Sequence, residues 1–197
     1  MKFTGRLFPA TAVIAGLMQA GLMGQAPAAP QQSAPAANPV PAPATEQQPI
    51  PSFFRVSENV CTGGQPTDAA IEDLAKQGIK SVINLRRPGE SVDPVAEGER
   101  VQKLGLRYFS IPIDVKAISD SQIEEFMRIV SDPENVPMFI HCAAANRVGG
   151  LWMIHRVLKD GWTVEKADEE AKNIGLRSQE LRQFALDYIA KHQQPKT

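Results

Sequence analysis

Between residues 53 and 191, short apolar runs alternate with stretches of helical period. Phe53–Val60 has strand character and leads into the turn Thr62-Gly63-Gly64-Gln65-Pro66. Thr67 or Asp68 is placed to cap a helix that runs to Gln77 and stops at Gly78. Lys80–Leu85 reads as a buried strand ending at the loop Arg86-Arg87-Pro88-Gly89. A helix over Pro94–Leu104 ends at Gly105, and Leu106–Ile113 is the next strand. Ser119 or Ser121 begins a helix through Val130, with Ser121-x-x-Glu124 as a capping box. Pro137–Ile140 is a further strand, and helices follow near 148–159, 163–173 and 178–191. This alternation predicts an α/β fold, a central and mainly parallel sheet flanked by helices. In such sheets the ligand crevice lies beyond the C-terminal ends of the strands. Cys142, Asp114, Arg86 and the Gly63-Gly64-Gln65 turn all follow predicted strands, which places them on one edge of the sheet.

The first fifty residues break this pattern. Lys2 and Arg6 precede an apolar stretch, Leu7–Met23, and small residues follow it. Residues 1–24 read as an export signal, so the domain is expected to be periplasmic or secreted, with a membrane as partner only if that signal is retained. Residues 25–51 are rich in Ala, Pro and Gln and read as a disordered linker. The folded domain is then residues 52–192, long enough for one core. The net charge of −1 gives no electrostatic case for nucleic acid. Three His and two Cys are scattered without metal-ligand spacing, so neither metal nor cofactor is expected. Export would put Cys61 and Cys142 in an oxidising compartment, which leaves a disulfide, a reversible bridge and two free thiols all open.

The candidate chemistry sits in His141-Cys142-Ala143-Ala144-Ala145-Asn146-Arg147. A cysteine at a strand end, a loop of small residues and an arginine at a helix start build an anion cradle, with backbone N–H groups converging on one spot. That field makes Cys142 a candidate nucleophile, and Arg147 offers a planar fork of donors to a tetrahedral oxyanion. Ala143, Ala144, Ala145 and Asn146 would line the anion site, and Arg86 could recruit anions at its rim. Asn146 tolerates the left-handed backbone region best and is the expected place of the tight bend.

These segments resemble the cysteine-dependent tyrosine and dual-specificity phosphatases, and more closely the bacterial beta-lactamase-hydrolase-like, fused phosphatase/NAD-kinase-type domains. The resemblance covers about residues 53–191 and rests on Thr62–Thr67, Gly78–Arg87, Tyr108–Asp114 and His141–Gly149. It implies a phosphomonoester substrate or other small oxyanion and attack by Cys142 to give a phosphocysteine. Arg147 and the loop N–H groups would bind the phosphoryl oxygens. Asp114 would be the general acid, with Asp120 second in line, and His141 would support the loop. Three features depart from the wider superfamily, the first being that three alanines and Asn146 stand where such loops usually place a glycine for the positive φ. Only four residues separate Cys142 from Arg147 where five are usual, and Val148 stands where a Ser or Thr usually follows the arginine. A loop of this length also suits a rhodanese-like sulfurtransferase carrying a persulfide on Cys142. A non-catalytic anion-binding module of the same fold is the third reading.

Overall fold

The computed structural model describes residues 50–193. Five strands form one mixed sheet in the order β1-β2-β5-β3-β4. They are β1 (Phe54–Arg55), β2 (Val60–Gly63), β3 (Ser81–Asn84), β4 (Arg107–Ser110) and β5 (Met138–His141). β2, β5, β3 and β4 run parallel, and only β1 is antiparallel, against β2. The run Phe53–Val60 is therefore not one strand. A turn breaks it where the N–H groups of Val56 and Ser57 both donate to Val60 O, and pairing resumes only at Val60.

Three strands, β2, β3 and β5, are buried on both faces, as parallel strands covered by helices must be. On one face, Cys61, Val82 and Phe139 pack against α1 (Asp68–Lys76) and α2 (Pro94–Lys103). On the other, Ile83, Met138 and Ile140 meet α3 (Asp120–Val130), α4 (Asn146–Leu158), α5 (Val164–Ile174) and α6 (Gln179–His192). Each fully buried Leu, Ile or Phe in these layers contributes about 1.5–3 kcal/mol against its exposed state. The capping box of α3 lies two residues earlier than Ser121-x-x-Glu124: Ser119 Oγ accepts from the Gln122 N–H, and Gln122 Oε1 accepts from the Ser119 N–H.

α4 is the central helix. Val148, Leu151, Trp152, Met153 and Ile154 are all buried, so it is apolar almost all round. Gly149 and Gly150 let its neighbours come close. A Cβ at Gly149 would lie 2.7 Å from Ala171 O on α5, and one at Gly150 would lie 2.7 Å from Leu181 on α6.

Ile50 and Pro51, at the end of the stretch read as linker, belong with the folded domain. Ile50 is buried, and Pro51 O accepts the Gly64 N–H. The export signal at 1–24 and residues 25–49 of the linker lie outside the described residues. No helix among the described residues is long and apolar enough to cross a membrane.

Candidate active site

Because β2, β3, β4 and β5 are parallel, their C-terminal ends meet at one edge. Gly64, Arg86, Asp114 and Cys142 follow them there, as the alternation predicted. Cys142 leaves the central strand β5, and α4 starts four residues later. The Gly-Gly-Gln turn holds the loop between them. Gly64 forms a bridge with Ala144, and the Gln65 N–H donates to Ala143 O at 3.2 Å. A Cβ at Gly64 would stand 2.8 Å from Ala143 O, so this approach requires glycine.

The tight bend is at Ala145 (φ 59°), not at Asn146. Two contacts explain the choice. Asn146 is spent elsewhere: its Oδ1 accepts from the N–H groups of Arg177 (2.7 Å) and Ser178 (3.0 Å), tying the loop to the start of α6. Ala145 packs against Gly175, where an added Cβ would come within 2.9 Å of the Ala145 methyl. The alanine pays about 1–2 kcal/mol for its left-handed backbone. Gly175→Ala would add overpacking and strain at φ 146°. It is expected to cost about 1–3 kcal/mol in urea unfolding; a cost near zero would show that the bend does not depend on this contact.

Arg147 lies in the first turn of α4, close beneath the loop. Its two terminal nitrogens donate to the two carboxylate oxygens of Glu90, both at 2.7 Å. Nη1 also reaches Leu85 O and Ile113 O. The guanidinium is thus fixed by both neighbouring strand ends. Glu90, which carried no signal in the sequence, is held at a pKa of about 2, chiefly by Arg147. It also accepts the Arg87 N–H and Arg86 Nε.

Arg86 does not line the rim. It is buried, and its guanidinium donates to Gln65, Glu90 and Ser91. Its neighbour Arg87 faces the cleft instead, since successive side chains after a strand point to opposite sides.

His141 is fully buried, and its Nε2 sits 3.0 Å from Glu97 Oε1. Glu97 is the hub of a buried network: Asn84, Tyr108 and Gln65 also donate to it. Burial alone would raise this carboxyl, but the bonds from His141, Gln65 and Tyr108 outweigh that and hold it at about 2. The chain of contacts closes underneath the loop. His141 connects through Glu97, Gln65, Arg86 and Glu90 to Arg147, so the two residues that bound the loop share one scaffold.

The cleft above has a volume of about 410 Å³. Cys142, Ala143, Ala144, Asn146 and Arg147 line it, while Ala145 is buried beneath. Its rim carries Arg87, Asp114, Lys116 and Glu180. Asp114 accepts from Arg87 Nη1 at 2.6 Å and from the Lys116 N–H at 3.1 Å. The Lys116 N–H first, then Arg87, hold this carboxyl below its ordinary range. Asp120 is outside the cleft, paired with Lys191. The Val148 side chain is buried in the core and does not line the cleft.

Cys61 and Cys142 are free thiols in opposite layers of the sheet. Cys61 pairs in register with Phe139, three residues before Cys142, and burial pushes its thiol up to about 11. Neither a structural nor a reversible bridge between them fits this geometry.

The family model described as DSP-PTPase phosphatase fused to NAD+ kinase matches residues 38–187. The beta-lactamase hydrolase-like protein of Agrobacterium fabrum is 31% identical over 121 residues, 59% of this chain and 27% of that protein. Its counterpart from Xylella fastidiosa (strain Temecula1) is 27% identical over 106 residues, 52% of this chain and 24% of that one. The chain therefore spans about a quarter of the length of these curated relatives. Among solved structures, a DUF442 protein from Shewanella putrefaciens has a TM-score of 0.62 at 20% identity, covering 74% of this chain and 93% of that one. The catalytic core of the PP-IP phosphatase SIW14 from S. cerevisiae, in complex with citrate, has a TM-score of 0.61 at 20% identity, with 72% and 87% covered. TpbA from P. aeruginosa has a TM-score of 0.58 at 20% identity, with 73% and 86% covered. These three share the fold. With three quarters of its length matched by one family model, and with a cysteine loop set on a dual-specificity-type sheet, the chain belongs to the family of DSP-PTPase phosphatases found fused to NAD+ kinase.

Proposed function

We propose that this domain hydrolyses a phosphomonoester through a phosphocysteine on Cys142. One observation supports this reading most directly: Cys142 opens, and a Glu90-locked Arg147 closes, a short loop at the floor of a cleft that Asp114 also lines. Cys142 Sγ attacks phosphorus, and the bond to the ester oxygen breaks. Asp114 gives its proton to that leaving oxygen. Arg147 and the first N–H groups of α4, which have no intrahelical acceptor, take up the charge on the three spectator oxygens. A water deprotonated by Asp114 then attacks phosphorus, releasing phosphate and restoring the thiolate.

An acid on the cleft favours hydrolysis of an ester over sulfur transfer, which needs no proton donor. TpbA has been solved with phosphotyrosine and SIW14 with citrate, so the fold takes anions of this kind elsewhere. The test is phosphate release by the reduced chain from p-nitrophenyl phosphate and glycerol 2-phosphate, beside thiosulfate sulfurtransfer. Phosphate release that vanadate inhibits is expected. Sulfur transfer without phosphate release would instead select the persulfide reading.

Asp114→Asn separates the two half-roles. An alkoxide leaving group needs the proton, and nitrophenolate does not. The variant is expected to lose about 10²-fold or more in kcat on glycerol 2-phosphate and far less on p-nitrophenyl phosphate. Equal losses on both esters would remove Asp114 from the acid role.

A further inference from the structure

At the rim of the cleft, the carboxylate assigned to donate a proton is paired with a cation. Arg87 Nη1 donates to Asp114 at 2.6 Å, and Arg87 Nε stands 3.5 Å from Glu90. The site is thus an alternating row, Arg147–Glu90–Arg87–Asp114. Of its two cations, Arg147 is buried and fixed by two carbonyls besides Glu90. Arg87 is different. Its side chain is 48% exposed, it lines the cleft, and both of its partners are carboxylates that an incoming anion could replace. Lys116, beside it on the loop after β4, adds a second exposed cation. Among the described residues, the α6 side of the rim carries Glu180 and no cation, so a further negative charge is favoured toward Arg87 and Lys116.

We infer that Arg87 and Lys116 form the seat for a second anionic group on the leaving-group side, so that the substrate is a phosphomonoester whose leaving group itself carries a phosphate or a carboxylate. This rests on the hydrolase reading above. Aliphatic walls agree with it: Ile113 and Val115 line the cleft, and no aromatic side chain among the described residues does, so an aryl leaving group finds no ring there to stack on. When the second anion takes Arg87, Asp114 loses one of the contacts that favour its ionised form and becomes a better proton donor. The right substrate then arms the acid that its own hydrolysis requires.

Arg87 and its partners are tested by binding, in the full chain carrying Cys142→Ser, by calorimetry at fixed ionic strength. The probes are glycerol 2-phosphate and 2,3-bisphosphoglycerate. The bisphosphate is expected to bind about 10-fold tighter or more, as one added charge-assisted contact gives. Adding Arg87→Met should erase that preference. Lys80→Met removes the same charge from the exposed residue just before β3, at the opposite end of the strands, and should keep it. Asp114→Asn, which frees Arg87, should tighten the bisphosphate further. Equal affinities in the parent, a preference that survives Arg87→Met, or equal loss in Lys80→Met would each overturn the inference. So would binding of neither probe. Failure of the hydrolase reading looks different: the reduced Cys142 chain would release no phosphate from either probe, whatever the affinities show.

Discussion

Cys142→Ser is expected to abolish phosphate release, a loss of roughly 10⁴-fold or more, the scale seen when a covalent nucleophile is removed. The change replaces sulfur by oxygen in a side chain only 1% exposed, so the fold should tolerate it. A serine hydroxyl is far less nucleophilic at neutral pH, and the imidazole of His141 is turned to Glu97 rather than toward it. The cradle itself should persist. Arg147 keeps Glu90, Leu85 O and Ile113 O as partners, none of which involves the thiol. Inorganic phosphate should therefore still raise the melting temperature of the variant by mass action. Phosphate release and thermal shift, measured on one sample, check both halves. Unchanged turnover would remove Cys142 from the chemistry, and loss of the phosphate effect would mean that the serine had collapsed the cradle.

Glu97→Ala carries the largest expected effect on stability. It removes the acceptor shared by Asn84, Tyr108, Gln65 and His141 at a position with no solvent. Breaking a buried polar hub from one side costs roughly 3–5 kcal/mol. Activity should fall with it, because two of the stranded donors hold the nucleophile loop, His141 through the chain and Gln65 through Ala143 O. The pH dependence has a definite sign. With the folded pKa near 2 against an ordinary 4.5, the carboxylate stabilises the fold fully above about 4.5. That contribution is lost as pH falls toward 2. Glu97→Gln keeps the shape but not the charge, so the stability gap between it and the parent should narrow below about pH 4.5. A gap that stays constant down to acid unfolding would show that the charge contributes nothing.

Much of the frame was legible because it depends on patterns that survive without context. Strand–helix alternation, the glycines at the Gly63-Gly64 turn and a cysteine after an apolar strand place Cys142, Asp114 and the turn on the correct edge. What failed was local choice among neighbours. Arg86 and Arg87 are chemically identical, and only the pleat decides which one faces the cleft. Asn146 has the better propensity for a left-handed bend, but the N–H groups of Arg177 and Ser178 claim its side chain, and Gly175 makes room for Ala145. Glu90 looked like any loop carboxylate. Glu97 was more visible than that: the buried stripe of α2 is Pro94, Glu97, Gly98 and Val101, spaced as an apolar face. A charge inside such a stripe signals a buried partner, and here there are four.

The two glycines of α4 divide the labour of evolution in this molecule. With α5 and α6 drawn against it, the helix that ends the cysteine loop has no room to slide or tilt. Arg87 and Lys116 present exposed side chains to the rim from the loops after β3 and β4, whose Glu90 and Ile113 O in turn hold Arg147. A lineage can therefore change the side chains of Arg87 and Lys116 and acquire a new taste in esters while inheriting the phosphate seat intact, as long as Arg86, Glu90 and Asp114 stay. For an engineer, those two rim positions are the exchangeable part, and α4 with Glu90 is the chassis to leave alone.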